Sequence, residues 1–145
     1  MSSNHTYRFP IRVYYEDTDA GGIVYYANYL KFMERGRTEM LRASGINLHE
    51  LDQTQNIIFV VGEVNARYKA SARLDDALIV ETSIKTVGNA SLALQQNILK
   101  RVADTESLLL EGSVSLVLIT REGKPVRIPS DLRDALAPYT AKEKS

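Results

Sequence analysis

The sequence predicts an α+β domain in which an antiparallel sheet of about five strands wraps around one long helix. Three observations predict it. A single stretch, from about Asn28 to Ser44, carries apolar residues at helical spacing. One strand-like segment precedes it and four follow, each rich in β-branched and aromatic residues or alternating at period two. Most of these segments are joined by short turns, so the strands pair with their neighbours and one face must be covered by the helix.

Tyr7–Tyr15 reads as the first strand, with Tyr7, Phe9, Ile11 and Val13 alternating against Arg8 and Arg12. Pro10 lacks a ladder donor, which argues for an edge position or a locally free N–H. Glu16–Gly22 is a turn, and Ile23–Tyr26 a short apolar link. The helix follows, with Leu30, Met33, Met40 and Leu41 as its apolar stripe, Tyr26 and Tyr29 entering it, and Gly45 as the C′ residue that closes it. Gly36 falls mid-helix, where it costs roughly 1 kcal/mol against alanine; close approach to a sheet or a second helix compensates.

The later strands are Ile57–Lys69, Leu78–Val87, Ser91–Arg101 and Leu108–Thr120. In the first, Gly62, Val64, Ala66 and Tyr68 share a face. In the second, Leu78, Val80 and Ile84 oppose Glu81, Ser83 and Lys85. The third alternates through Leu92, Leu94 and Ile98, and the fourth through Leu108, Leu110, Val114, Leu116 and Leu118. Gly88-Asn89 and Ala103–Glu106 are turns, and Gly123–Pro125 ends the last strand. Residues 130–145 form a tail with a short helix until Pro138 and a frayed charged end, AKEKS.

The 145 residues suit one domain spanning 1–145, long enough to bury roughly 70% of the unfolded surface. Net charge is zero, which argues against a general nucleic-acid binder. Cysteine is absent, excluding disulfides, thiolate nucleophiles and cysteine-bound metals. The first ten residues lack the apolar core of a signal peptide, and no apolar run approaches the ~18–20 residues of a membrane span. A cytoplasmic protein is expected.

The chemistry gathers between Val13 and Arg42. Asp17 and Asp19 lie in a turn, Gly21-Gly22 follows, and the helix begins a few residues later. A carboxylate is thereby delivered near a helix N-terminus, whose unpaired N–H groups and dipole favour developing negative charge. An acyl carbonyl held between them would meet a base or nucleophile on one side and an oxyanion cradle on the other. The plainer reading is that both aspartates merely bond nearby backbone in a turn. A calcium loop is excluded: Gly21 stands at its fifth position and Asn28 at its twelfth, where glutamate is needed. No metal is expected.

The run Y-Y-E-D-T-D-A-G-G-I-V-Y-Y-A-N-Y, followed by E-R-G-R-T-E-M-L-R, resembles the motif of hotdog-fold acyl-CoA thioesterases. It is most similar to the branch associated with the bacterial Tol-Pal cluster, and more distantly to 4-hydroxybenzoyl-CoA thioesterase. The likeness continues through A-R-L-D-D at Ala72–Asp76, and the order of elements agrees to about Pro129. The resemblance implies a hotdog fold and hydrolysis of acyl-CoA thioesters. Asp19 matches the catalytic carboxylate, acting as nucleophile or as general base to water, while Asp17 shapes the loop. The backbone N–H at Tyr26 would polarise the thioester carbonyl. Most members of the branch carry histidine there and the 4-hydroxybenzoyl type carries tyrosine, so no histidine proton donor is expected. As a side chain, Tyr26 is otherwise a core aromatic.

Asn28 caps the helix or holds water. Gly21 and Gly22 bend the backbone so that the thioester can approach. Arg67, Lys69 and Arg73 are candidates for the phosphates of coenzyme A, against the plain reading of solvated cations. The family's proline is missing from Lys69-Ala70-Ser71-Ala72-Arg73, which leaves the strand exit there unspecified. Another hotdog branch carries its acid on the helix; with Asp19 present, Glu34 reads as structural. Coenzyme A is part of the substrate and no separate cofactor is implied. Expected partners are a second copy, as homodimer or homotetramer with the site at the subunit interface, and acyl carrier protein as an alternative thioester carrier. A hotdog hydratase is disfavoured, since His5 and His49 lie away from the motif. The non-enzymatic alternative is an acyl-carrier or protein-interaction module of the cell-envelope machinery.

Overall fold

The computed structural model of the chain describes residues 5–141. Its elements are β1 (Tyr7–Arg12), α1 (Ala27–Ala43), α2 (Leu48–Gln55), β2 (Ile58–Tyr68), β3 (Ala77–Val87), β4 (Ser91–Val102), β5 (Thr105–Ile119) and α3 (Ser130–Leu136). The strands form one antiparallel sheet of five in the order β1-β3-β4-β5-β2. β1 and β2 are therefore the two edges, and α1 crosses a face of the sheet between them. This is the hotdog arrangement. Pro10 falls on an edge strand, opposite Ile79, so its missing donor leaves no gap in the sheet interior.

Gly36 and Gly112 set how closely α1 sits. A β-carbon on Gly36 would come within 2.4 Å of Val80 Cγ1, and one on Gly112 within 2.9 Å of Met33 Cε. At Gly36 the helix thus rests on β3 at a distance that only glycine permits, while at Gly112 the flexible end of Met33 fills the space a β-carbon would take. Beneath it, the fully buried Gln96 donates from Nε2 to the Met33 carbonyl and to Thr82 Oγ1, both at 2.8 Å. Around this polar anchor pack Phe32, Met33, Met40, Leu78, Val80, Ile84, Leu94, Ile98 and Leu110. Each large side chain buried in this way is worth about 1.5–3 kcal/mol.

Several expectations shift. β1 ends at Arg12 rather than Tyr15, because a 3-10 turn over Tyr15–Asp17 bends the chain away. Leu30 is 41% exposed: α1 buries Tyr29, Phe32, Met33, Gly36, Met40 and Leu41, a stripe rotated away from it. A bulge between Val61 and Glu63 turns Gly62 toward Val117, off the face that holds Val64 and Ala66. Leu109 is the extra residue of a second bulge and is buried, while Leu108 is only partly so.

α2 was not expected. Asn47 caps it by accepting the Glu50 N–H at 3.0 Å, and Asn56 closes it in the left-handed region at φ 53°. In the tail, Ile128, Leu132 and Leu136 are buried, and Arg133 Nη2 donates to the Gly88 carbonyl at 2.7 Å. Of AKEKS, expected to fray, Ala141 is held by its N–H on the Ile84 carbonyl at 2.9 Å, and residues 142–145 lie outside the described residues.

Replacing Gly36 by leucine should destabilise the protein by about 1–3 kcal/mol, the usual cost of overpacking. Chemical denaturation measures this, and adding Val80→Ala should recover part of the loss, since the clash is with that side chain.

Candidate active site

From Asp17 to Tyr25 the chain folds into a small hairpin. Tyr25 N–H donates to the Asp17 carbonyl at 3.1 Å, Thr18 and Val24 form a bridge, and Asp19 N–H donates to the Ile23 carbonyl at 2.9 Å. The tip closes with Gly22 N–H on the Asp19 carbonyl at 3.0 Å. Gly22 has φ 77°, a backbone state that strains any other L-residue. A second layer of contacts fixes the hairpin to the β2–β3 connection: Val24 N–H donates to Ala72 O, Leu74 N–H to Gly22 O, and Ile23 bridges Arg73.

The two aspartates are divided by this geometry. Asp17 is 6% exposed; its Oδ2 accepts the Tyr14 N–H at 2.9 Å, and its carbonyl accepts from both Tyr25 N–H and Asn28 Nδ2. Asp19 stands at the hairpin tip, exposed. Its Oδ1 accepts the Gly21 N–H at 2.9 Å, and Oδ2 has no hydrogen-bond partner among the described residues. One carboxylate is bound into the loop, and the other presents an oxygen to solvent.

The hairpin runs straight into α1. Tyr26, in helical conformation at φ −56°, is the residue before the first helical one, and its side chain is 64% exposed rather than core. The carbonyls of Gly22 and Ile23, which could receive the first helical N–H groups, are taken by Leu74 and Asp19. The N–H groups of Tyr26 and Ala27 consequently have no acceptor among the described residues, leaving two donors at the positive end of the helix. Asn28 makes no cap bond; its side chain donates to the Asp17 carbonyl at 2.8 Å and ties α1 to the loop.

Tyrosines surround this helix start. Tyr25 stacks on Tyr26, and Tyr68 of β2 meets both Tyr26 and Tyr29 edge-on. Tyr29 is buried, and its hydroxyl oxygen accepts the Ala72 N–H at 2.8 Å. Burial pushes the Tyr29 and Tyr68 phenols above their ordinary range, so both stay protonated at neutral pH. Sequence reasoning gave Tyr29 no such role, and nothing in the spacing of Tyr29 and Ala72 signals it.

Of the basic candidates, Arg73 is held beside the hairpin through the Ile23 bridge, and its N–H donates to Asp76 Oδ2 at 2.8 Å. Lys69 is exposed just past the end of β2, where its N–H bonds the Leu109 carbonyl. Arg67 is not brought to the site. It stands on the outer face of the sheet, 4.0 Å from Glu111, in a polar hollow with Lys85, Gln95 and Asn97. Among the described residues no group of His, Asp and Glu side chains is placed to hold a metal. Two hollows of about 570 Å³ lie elsewhere, one on that outer face and one between α1 and α2. Neither contains a carboxylate next to free helix N–H groups, so the hairpin remains the chemically equipped place.

The sequence profile of the thioesterase-like superfamily matches residues 13–136. An acyl-CoA thioesterase, YbgC, of Haemophilus influenzae is 40% identical over 131 residues, covering 89% of this chain and 93% of that protein. An acyl-CoA thioester hydrolase, YbgC, of Escherichia coli O6:H1 is 41% identical over 128 residues, 87% of this chain and 92% of its own. A crystal structure of a probable thioesterase from Bartonella henselae superposes with a TM-score of 0.79 at 37% identity, covering 86% of this chain and 99% of that one.

Tyr29→Phe removes the acceptor of a buried N–H and should cost about 1–3 kcal/mol. Amide exchange at Ala72 should accelerate selectively, which distinguishes a lost pin from a general loosening of the core.

Proposed function

The chain belongs to the thioesterase-like superfamily, and from that premise we propose that it hydrolyses acyl-CoA thioesters to the free acid and coenzyme A. The observation that carries the reading is the hairpin: Asp19 offers an unpartnered carboxylate oxygen, and the same hairpin leads into a helix start with two unpaired N–H donors. The thioester carbonyl oxygen sits on the N–H of Tyr26, with Ala27 N–H as second donor. As the carbonyl carbon becomes tetrahedral, its charge develops where these dipoles already point.

Asp19 then serves in one of two ways. As a nucleophile, its oxygen bonds to the carbonyl carbon, the C–S bond breaks, coenzyme A leaves as thiolate, and water cleaves the resulting anhydride. As a general base, it takes a proton from water, which attacks the carbonyl directly. Gly21 and Gly22 leave space for the thioester, while Asn28 and Asp17 keep the hairpin in register with the helix. Arg73 and Lys69 meet the phosphates of coenzyme A, which is part of the substrate; no separate cofactor takes part. Arg67, on the outer face, has no part in this chain's own site.

The edge of β2 is free, and Val61, Val64 and Tyr68 along it are more than a third exposed. An unpaired edge with apolar side chains invites a second copy. The working form is accordingly at least a dimer, with Lys69 and Arg73 able to reach substrate on a neighbouring chain.

A free-thiol assay over aliphatic and aromatic acyl-CoA esters tests the activity. Asp19→Asn should fold normally and lose roughly 10²–10⁴-fold in kcat, whereas Tyr26→Phe should keep most of its activity because the working group is the backbone N–H. Near-normal turnover in Asp19→Asn, or tight acyl-CoA binding without turnover in the wild type, would contradict the reading.

Light scattering should give a species at least twice the 16.2 kDa chain mass. Mixed oligomers of Asp19→Asn chains with Arg73→Ala chains should regain part of the activity if one site draws on two chains.

A further inference from the structure

Along α1, Tyr26, Leu30, Met33 and Arg37 recur at helical spacing and form one stripe. β2 faces it. At one end, Tyr68 meets Tyr26, with ring centroids 6.4 Å apart and the Tyr68 hydroxyl 3.4 Å from the Tyr26 carbonyl. At the other, Leu30, Met33, Arg37, Val61, Val64 and Val114 enclose a pocket of about 130 Å³, close to the size of an apolar cavity that accepts a benzene molecule. Helix and edge strand thus meet along one seam, with the ring contact at the helix N-terminus, where the proposed hydrolysis places the thioester carbonyl, and the apolar pocket with Arg37 at the other end.

Arg37 is out of keeping with such a pocket. It is partly buried, and desolvation lowers the pKa of its guanidinium. Among the described residues it makes one side-chain hydrogen bond, from Nη1 to the neutral Oε1 of Gln96 at a long 3.4 Å, although a guanidinium has five N–H donors. No carboxylate lies within ion-pair distance of it among the described residues, and the nearby charge of Glu34 offsets the desolvation only in part. Glu34, one turn earlier, instead accepts from the Thr38 hydroxyl at 2.8 Å. A partly desolvated cation with unused donors is unfavourable until an anion meets it.

We infer that Arg37 is a specificity-determining residue that grips a carboxylate at the far end of the acyl chain, so that the preferred substrates are medium-length ω-carboxyacyl-CoA thioesters. The inference rests on the proposed hydrolysis at Asp19. The planar guanidinium suits bidentate binding of a carboxylate, and the apolar side chains of the seam suit the methylenes between. Length narrows the class further. Eleven positions separate Tyr26 from Arg37, about 16 Å along the helix axis. The arginine side chain leans back toward the helix N-terminus and shortens that span. An extended chain advances about 1.25 Å per carbon, given bonds of ~1.5 Å; diacids of about eight to twelve carbons fit.

The test compares kcat/KM for suberyl-CoA and octanoyl-CoA, equal in length and differing only at the far end. The wild type should favour suberyl-CoA at least about tenfold, and Arg37→Met should lower that ratio by roughly ten- to a hundredfold, the range of a charge-assisted hydrogen bond. Arg37→Lys, with a charge but no fork, should fall between. Calorimetry with free suberate and octanoate reads the same grip without turnover: suberate should bind tighter to the wild type, and this advantage should vanish in Arg37→Met. A wild-type preference for octanoyl-CoA, or an unchanged ratio in Arg37→Met, overturns the inference while leaving hydrolysis in place. So does a fall in oligomer mass in Arg37→Met with the ratio unaltered, which would assign the guanidinium to a subunit contact. Should Arg37→Met fail to fold, the wild-type ratio and Arg37→Lys decide. If no thioester is cleaved yet suberate binds through Arg37, the hydrolytic reading fails and the carboxylate grip stands; if neither occurs, both fail.

Discussion

The close seating of α1 on the sheet is the constraint on which the rest depends. Gly36 above Val80 removes the β-carbon that would hold helix and sheet apart, and Gly112 leaves room for the end of Met33. Gln96 then reaches the Met33 carbonyl from below, an anchor with a defined direction inside an otherwise apolar core. Apolar packing alone tolerates sliding, whereas a buried amide with fixed partners sets a position along the helix axis, because leaving it unsatisfied is expensive. The helix N-terminus is the far end of that rigid rod. Its place relative to the Asp17–Tyr25 hairpin follows from the seat.

Two carboxylates of identical chemistry, two residues apart, are given opposite environments. Asp17 turns inward and joins the Tyr14 N–H to the start of the hairpin, while its own carbonyl gathers Tyr25 and Asn28. Asp19 is left at the tip with one oxygen engaged by Gly21 and the other free. The first arrangement makes the second possible: a tip carboxylate is useful in chemistry only if the strand pair beneath it is stiff. Tyr29 adds a further pin by holding Ala72, and through it the segment that bridges Ile23. The helix, the hairpin and the β2–β3 connection are thereby one unit.

Much of this was legible in the sequence. The limits of α1 and of β2 to β4 fall within a residue or so of those expected, because helical and period-two spacing are strong signals over long stretches. Period-two reasoning failed where the ladder itself slips. The bulges at Gly62 and Leu109 each insert one residue, and one residue exchanges the faces of a strand. Helix α2 escaped because only Leu51 is buried, so no apolar stripe exists; its one sequence signal was Asn47 three residues before Glu50. Leu30 was assigned to the apolar stripe by its helical spacing, yet it is exposed and lines a small pocket with Val61 and Val64 of the edge strand. Arg67 and Tyr68 are chain neighbours on opposite faces, as period two already implies, but which face the helix covers is settled only by the fold.

The central claim is that the hairpin and the start of α1 hold the two halves of one site. A crystal structure of Asp19→Asn protein with a bound acyl-CoA tests it most directly. The account predicts the thioester oxygen about 2.7–3.1 Å from the N–H of Tyr26 or Ala27, with the carbonyl carbon facing residue 19. A thioester seated instead in the cleft between α1 and α2, beside Thr38 and Arg42, would contradict it.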